Sequence, residues 1–274
     1  MLEWERPTSL RREDATEAAG RTAAEAFRTE HQLGVAPIKD VSDLVETTVN
    51  ADVTIVELPA FVDGLMLVDD VAKATLIAVA TSHNPERQRF SIAHELGHKV
   101  FGEFTDHTAS SDDRDPEARA HAFARNLLLP EAGIPEFFQT TTVRAGSVTE
   151  RDLSNLVAFF EVSVQVAVLQ LLLTSWIDED TADSWWPTEA SYLARRYGWS
   201  AERSARVVES STQRPARRML DNATEAYVDD LLSIETLAHV DGTTTPELLR
   251  ADLQAAGVLR RDVTPSPFDL DSLD

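Results

Sequence analysis

Apolar residues at helical spacing predict that most of this chain is α-helical. Residues 15–32 are alanine-rich and polar on one side, which predicts a helix that ends before Gly34. Residues 41–49 predict a second helix, and Asp40 is a suitable N-cap for it. Further helices are predicted after Pro130, at residues 135–138, 150–160, 162–177, 188–197, 201–209, 215–232, 234–240 and 246–256.

The pattern changes between residues 53 and 80, where β-branched and apolar residues replace the helical periodicity. The segments 53–58, 65–68 and 74–80 predict three strands, and Asp69-Asp70 suits the turn between the last two. We expect the strands to form a small antiparallel sheet. The predicted fold class is therefore α+β, with an all-α region in the C-terminal part of the chain.

A second change in composition indicates a domain boundary. The acidic run Asp178-Glu179-Asp180 is followed by the aromatic run Trp185-Trp186-Pro187. We therefore predict an α+β domain with a helical extension over residues 1–178 and an α-helical domain over 179–262. The last stretch, 263–274, is rich in aspartate and proline and is predicted to be a disordered acidic tail.

One pentapeptide carries the candidate chemistry of the first domain. His94-Glu95-Leu96-Gly97-His98 matches the pattern H-E-x-x-H, and Asn84 is a suitable cap for a helix that contains it. Positions four apart share one face of a helix, so His94 and His98 can hold one metal ion. A bound Zn²⁺ would lower the pKa of its water from about 15.7 toward about 7, and Glu95 could carry that water's proton to a leaving amine.

A catalytic zinc usually has three protein ligands, so a third must come from elsewhere in the chain. Asp115 as N-cap and Pro116 as first residue predict a second helix, on which Glu117 and His121 share a face. We favour Glu117 because a helix holds a ligand more firmly than a loop does. Competing donors lie between the two helices: Glu103, Asp106, His107, Asp112 and Asp113. His121 is open to three interpretations, namely a group behind the ligands, a donor to the substrate oxyanion, or a surface histidine.

Two segments resemble a known family. Residues 87–98, RQRFSIAHELGH, resemble the hallmark of the ImmA/IrrE-type metallopeptidases, R-x-R-F-[ST]-x-A-H-E-L-G-H. Residues 117–124, EARAHAFA, followed by LLLP, resemble the second signature of that family, E-x-x-A-N-x-F-A with L-L-M-P. The chain departs from these patterns at His121, where the family has asparagine, and at Leu129, where it has methionine.

The resemblance implies a zincin-like fold in which a small sheet accompanies the H-E-x-x-H helix and a second ligand helix. It implies one zinc ion on His94, His98 and Glu117, with Glu95 as the catalytic glutamate, and such ligands also admit Mn²⁺. Members of the family are intracellular proteases, several of which cleave helix-turn-helix repressors and so derepress mobile-element or stress genes. In zinc peptidases an edge strand can hold the substrate as an added strand, and we expect that edge within residues 65–80.

The chain is strongly acidic, with 47 acidic and 25 basic residues and a net charge of −22. Such a charge repels nucleic acid, so no direct nucleic-acid binding is expected, although residues 234–253 weakly resemble a helix-turn-helix element. It would attract a basic protein surface, such as that of a DNA-binding repressor. An alternative hypothesis is a non-catalytic, zinc-containing regulatory protein that sequesters a DNA-binding partner through this acidic surface.

Composition also bears on the cellular compartment. The chain has no cysteine, which excludes disulfides and thiolate metal sites. Residues 1–14 are charged and lack the apolar core of a signal peptide. The longest apolar run, 162–173, is too short to span a bilayer. We therefore predict a cytoplasmic protein without a membrane association.

Overall fold

The structure is a computed structural model that describes residues 11–12, 14–69, 71, 73–103, 114–139 and 143–261. The chain forms two compact units, Met1–Thr212 and Gln213–Asp274. The fold is α+β and mostly helical, as the sequence predicts. The predicted acidic tail at 263–274 lies outside the described residues.

The first unit consists of helices before and after one small sheet. Asp40 caps the second helix as predicted, because its Oδ1 accepts a hydrogen bond from the Asp43 N–H at 2.9 Å. The elements in chain order are α1 (Ala15–Glu30), α2 (Val41–Thr48), β1 (Asp52–Val56), β2 (Gly64–Asp69), β3 (Ala74–Ala80), α3 (Pro85–Phe101), α4 (Arg114–Leu128), α5 (Gly133–Phe138), α6 (Glu150–Phe160), α7 (Val164–Leu173), α8 (Glu179–Trp185), α9 (Ala190–Tyr197) and α10 (Ser200–Ser210).

The sheet is mixed, with strand order β1-β3-β2, so the prediction of an antiparallel sheet was wrong. β2 and β3 are antiparallel and pair Gly64 with Val79, whereas β1 and β3 are parallel and pair Asp52 with Leu76. The direction differs because the chain crosses over after β1 and leaves β3 between the other two strands. Apolar patterning within a strand does not encode that crossover. Among the described strands, β2 lies at one edge of the sheet.

Helices α1 and α3 both pack on α4 through small residues. A Cβ atom at Gly97 of α3 would lie 3.1 Å from the Ala120 Cα, and one at Gly20 of α1 would lie 2.5 Å from the Ala122 Cβ. The glycines therefore allow a backbone approach that a side chain would prevent. The surrounding core is apolar and fully buried, and includes Ala93, Leu96, Phe123, Ala124 and Leu127.

The helices after residue 178 continue the first unit as far as Thr212. Leu193 of α9 is fully buried in the main core, and the Trp199 indole N–H donates to the Ser154 hydroxyl of α6 at 2.9 Å. The compact units are therefore divided at 212/213, whereas the composition of the sequence suggests a boundary at 178/179. The acidic run 178–180 begins α8 instead, where Asp178 caps the helix.

The second unit is all-α, as predicted for the C-terminal region. It contains α11 (Arg217–Val228), α12 (Ile234–Asp241) and α13 (Pro246–Ala255). Its small core is formed by Ala223, Tyr227, Ile234 and Leu237. Across both units, no single helix within the described residues combines the length and the apolar character that crossing a membrane requires.

Candidate metal centre

The H-E-x-x-H segment lies on α3, and the local sequence explains why that helix forms. The Asn84 side chain caps it by accepting a hydrogen bond from the Arg87 N–H at 3.1 Å, and Pro85 occupies the first turn. Ile92, Ala93 and Leu96 are buried and fix the orientation of the helix. The helix ends at Gly102, whose φ of +69° is the left-handed conformation that favours glycine.

Helix α4 brings the second signature next to α3. It begins at Arg114, so Asp115 lies in the helix and not before it, and the prediction of Asp115 as the N-cap was wrong. Helix boundaries read from sequence often differ by one or two residues. The buried side of α4 includes Ala120, Phe123 and Leu127, which leaves Glu117 and His121 beside the histidines of α3.

Three of the predicted site residues converge on one point. His94 Nε2 lies 3.1 Å from His98 Nε2, and each of these atoms lies 3.3 Å from an oxygen of the Glu117 carboxylate. A tetrahedral ion with bonds of about 2.0–2.1 Å would separate its ligand atoms by about 3.3 Å. The spacings are those of ligand atoms around an ion of this size, and a different oxygen of Glu117 faces each histidine.

The charges in this cluster reinforce each other. Hydrogen bonds from His94 and His98 hold the pKa of the Glu117 carboxyl far below its ordinary value. Burial alone would lower the pKa of His98, but its hydrogen bond with Glu117 and the charges of Glu117 and Glu95 raise it. Glu117 is 59% exposed, so the cluster is open on the carboxylate side. An opening of this kind is what a catalytic metal site requires and a structural one does not.

Glu95 is partly buried beside this cluster and under the start of β2. A Cβ atom at Gly64 would lie only 3.3 Å from the Glu95 Oε1, so the strand backbone passes directly over the carboxylate. Burial raises the pKa of Glu95, although the neighbouring His94 and His98 oppose that shift. A carboxyl group with a raised pKa holds a proton more readily, which a group that accepts and then donates a proton needs.

His121 lies against His94 and is not a freely exposed surface residue. The two rings are T-shaped with centroids 4.7 Å apart, and Phe90 covers His121 with its ring centroid at 5.6 Å. Burial and then the charge of His94 lower the pKa of His121 to about 4, so the ring is neutral at pH 7. One ligand atom each of His94, Glu117 and His121 lies within 4.8 Å of the others, so His121 could also approach a metal ion.

Among the competing donors, Glu103 lies on the other side of His98. Its Oε2 is 3.4 Å from His98 Nδ1, the ring nitrogen that does not face His94 and Glu117. Glu103 is also held by Arg119, whose Nε donates to Oε1 at 3.0 Å. The remaining competitors, Asp106, His107, Asp112 and Asp113, lie outside the described residues.

Sequence reasoning missed two features of this site. The apolar run of β2 did not indicate that Gly64 would lie over Glu95, although a glycine in a strand can mark a close backbone approach. Arg119 was also missed, although it lies two residues after Glu117 and its charge could have been matched with that of Glu103.

Comparisons with known proteins agree with the resemblance. Residues 50–172 match the family model Peptidase_M78, described as the IrrE N-terminal-like domain, and this range contains both signatures. No curated protein matches the chain. Among solved structures, a Mycobacterium tuberculosis transcriptional regulator aligns with 20% identity and a TM-score of 0.39. The alignment covers 56% of this chain and 46% of that chain, so this chain spans less than half of that protein.

Proposed function

Because residues 50–172 match the IrrE N-terminal-like domain, we propose that this protein is a zinc-dependent endopeptidase that cleaves a specific protein. The observation that carries the proposal is the convergence of His94, His98 and Glu117, whose ligand atoms are 3.1–3.3 Å apart. These residues suit one Zn²⁺ per chain, and Mn²⁺ accepts the same donors. When bound, the ion supplies Lewis-acid activation of water and of the scissile carbonyl.

Glu95 is the proposed proton carrier of the reaction. It would accept a proton from the attacking water and deliver it to the leaving amine nitrogen as the C–N bond breaks. Burial raises its pKa, which favours holding the proton between the two steps. His121, neutral and packed on His94, is proposed to support that ligand from behind or to donate to the substrate oxyanion.

The free edge of β2 is the proposed binding place of the substrate. Among the described strands β2 has a neighbour, β3, on one side only, so a further strand could be added on its other side. An extended peptide can pair with such an edge as an added strand. Because Gly64 at the start of β2 passes over Glu95, a peptide on this edge would run beside the catalytic carboxylate.

The net charge of −22 favours a substrate with a basic surface. A helix-turn-helix repressor has such a surface, since it binds DNA phosphates. We propose that cleavage of a repressor in the cytoplasm derepresses mobile-element or stress genes, and that the protein itself does not bind nucleic acid. Electrostatic steering of the substrate would weaken as salt is added.

The experiment compares wild type with Glu95→Gln, each loaded with Zn²⁺ and incubated with helix-turn-helix repressors encoded beside its gene. Intact-mass spectrometry should detect two fragments with wild type and none with Glu95→Gln, while both proteins retain the metal. Cleavage by Glu95→Gln at the wild-type rate would contradict the proposed role of Glu95.

The alternative function is a metal-containing protein that sequesters its partner without cleaving it. The acidic charge favours this function as much as the first. Glu95 and the open side of Glu117 argue against it, since a structural zinc needs no base and usually has four protein ligands. A stable complex with an intact repressor after prolonged incubation with the wild-type protein would favour sequestration.

A further inference from the structure

Two buried polar atoms face each other behind the metal centre. His98 Nδ1 and Glu103 Oε2 are 3.4 Å apart, and neither has a hydrogen-bond partner of good geometry among the described residues. A buried polar atom without a partner destabilises the folded protein. A small approach of the two side chains would satisfy both atoms at once, with Nδ1–H donating to the carboxylate.

The end of α3 positions Glu103 for this contact. Gly102 adopts the left-handed conformation, and the chain then turns back so that the Glu103 N–H donates to the His98 carbonyl at 2.9 Å. This is the backbone arrangement that closes many helices at a glycine. Glu103 therefore contacts His98 through both its backbone N–H and its side-chain carboxylate.

Arg119 holds the other oxygen of Glu103 from α4. Its Nε donates to Oε1 at 3.0 Å, its terminal nitrogen contacts the same oxygen, and its guanidinium lies over the Phe101 ring at 5.6 Å. Arg119 follows Glu117 by two residues, so one short segment of α4 supplies both a metal-facing carboxylate and the clamp on Glu103. The ion pair thus connects the two helices that carry the proposed ligands.

We propose that Glu103, clamped by Arg119, is a positioning residue of the metal centre that fixes the ring of His98 and its Nδ1–H tautomer. This inference rests on the proposed metal site and adds two residues to it. A fixed tautomer leaves the Nε2 lone pair directed at His94 and Glu117. The carboxylate also makes the imidazole a stronger ligand, and losing such a partner typically costs 10–100-fold in metal affinity.

The test is a competition titration of Zn²⁺ against a chelator, with wild type, Glu103→Ala, Glu103→Gln and Arg119→Ala. Glu103→Ala should weaken Zn²⁺ binding about 10–100-fold. Glu103→Gln should recover part of the loss, because its amide oxygen still accepts from Nδ1–H. Arg119→Ala should lie between wild type and Glu103→Ala, since the carboxylate remains but is no longer clamped.

Glu131→Ala is the matched control. Glu131 is also an arginine-paired glutamate with little exposure, and its ion pairs are with Arg12 and Arg21. The Glu131→Ala substitution should lower the free energy of unfolding in urea without changing the affinity for Zn²⁺. Visible spectra of the Co²⁺-loaded proteins provide a second readout, and should change for Glu103→Ala but not for Glu131→Ala.

The outcomes separate this inference from the proposed function. A folded Glu103→Ala protein that binds Zn²⁺ as tightly as wild type and gives the same Co²⁺ spectrum would overturn the role of Glu103 alone. A wild-type protein that binds neither ion would contradict the metal site itself, and the role of Glu103 with it.

Discussion

Gly97 on α3 packs directly against Ala120 on α4, where an added Cβ atom would lie 3.1 Å from the Ala120 Cα. Gly97 is next to His98 in the sequence, and Ala120 follows Glu117 by three residues. The spacing of the ligand atoms therefore depends on how closely the two helices approach at this glycine.

Gly97→Val should push the helices apart. The added atoms meet the backbone of Ala120 and the ring of Phe123, which are buried and cannot move away. We expect a loss of about 1–3 kcal/mol in the free energy of unfolding, as for other overpacked cores. Urea denaturation measures the loss, and Zn²⁺ titration should show weaker binding. An unchanged unfolding midpoint would mean that the helices tolerate a wider separation.

Phe61→Gly should stabilise the protein. Phe61 lies in a turn closed by the Val62 N–H bonding to the Pro59 carbonyl, and it has a φ of +75° while being 80% exposed. The left-handed conformation costs a non-glycine residue roughly 1–2 kcal/mol, and glycine avoids this cost. Glycine also loses more conformational entropy on folding, which offsets part of the gain. We expect the free energy of unfolding, measured by thermal denaturation, to increase by about 0.5–1 kcal/mol. Phe61→Ala is the control, because it removes the ring but keeps the strain, and an equal gain there would contradict this explanation.

Breaking the buried ion pair between Glu17 and Arg125 should be costly. Both side chains are almost completely buried, and Arg125 also donates to the Gln170 side chain at 2.8 Å. Removing one partner of a buried pair leaves an uncompensated charge and costs about 3–5 kcal/mol. Glu17→Ala should therefore lower the free energy of unfolding by this amount in urea. Glu17→Gln, which can still accept a hydrogen bond, should lose less, and equal losses for the two variants would argue against a role for the hydrogen bond.

Acidification should destabilise the metal-free protein through His121. Its pKa is lowered to about 4 in the folded state, first by burial and then by the charge of His94, against about 6.5 when unfolded. Between these values the unfolded chain binds one more proton, so stability falls as the pH decreases from 6.5 to 4. We expect a loss of order 1–3 kcal/mol over this range. In the presence of a chelator, urea unfolding of His121→Asn should depend less on pH than wild type, and equal dependence would contradict the assignment to His121.

The parts of the fold that follow from local chemistry could be predicted from the sequence. Asp40 and Asn84 cap helices because their side chains accept from the third following N–H, which depends on neighbouring residues only. A close backbone contact at Gly97 could also be expected, although its partner could not. Glycine destabilises the interior of a helix, and close packing of another backbone is a reason for its presence there.

The parts that depend on distant contacts could not be predicted. The crossover that makes β1 parallel to β3 is a property of the connection, and the strand residues carry no signal for it. Glu103 was one of several candidates for the third ligand in the sequence. Its contacts with His98 Nδ1 and Arg119 in the structure place it behind His98 instead. The extent of the first unit to Thr212 depends on buried contacts such as that of Trp199 with Ser154, which composition does not reveal.

Elemental analysis of purified wild-type and Glu117→Ala protein tests whether His94, His98 and Glu117 hold one catalytic ion. We expect about one zinc per wild-type chain and a much lower content in the variant, as for a three-ligand site. Wild-type protein that contains no metal and takes up neither Zn²⁺ nor Mn²⁺ on reconstitution would contradict it.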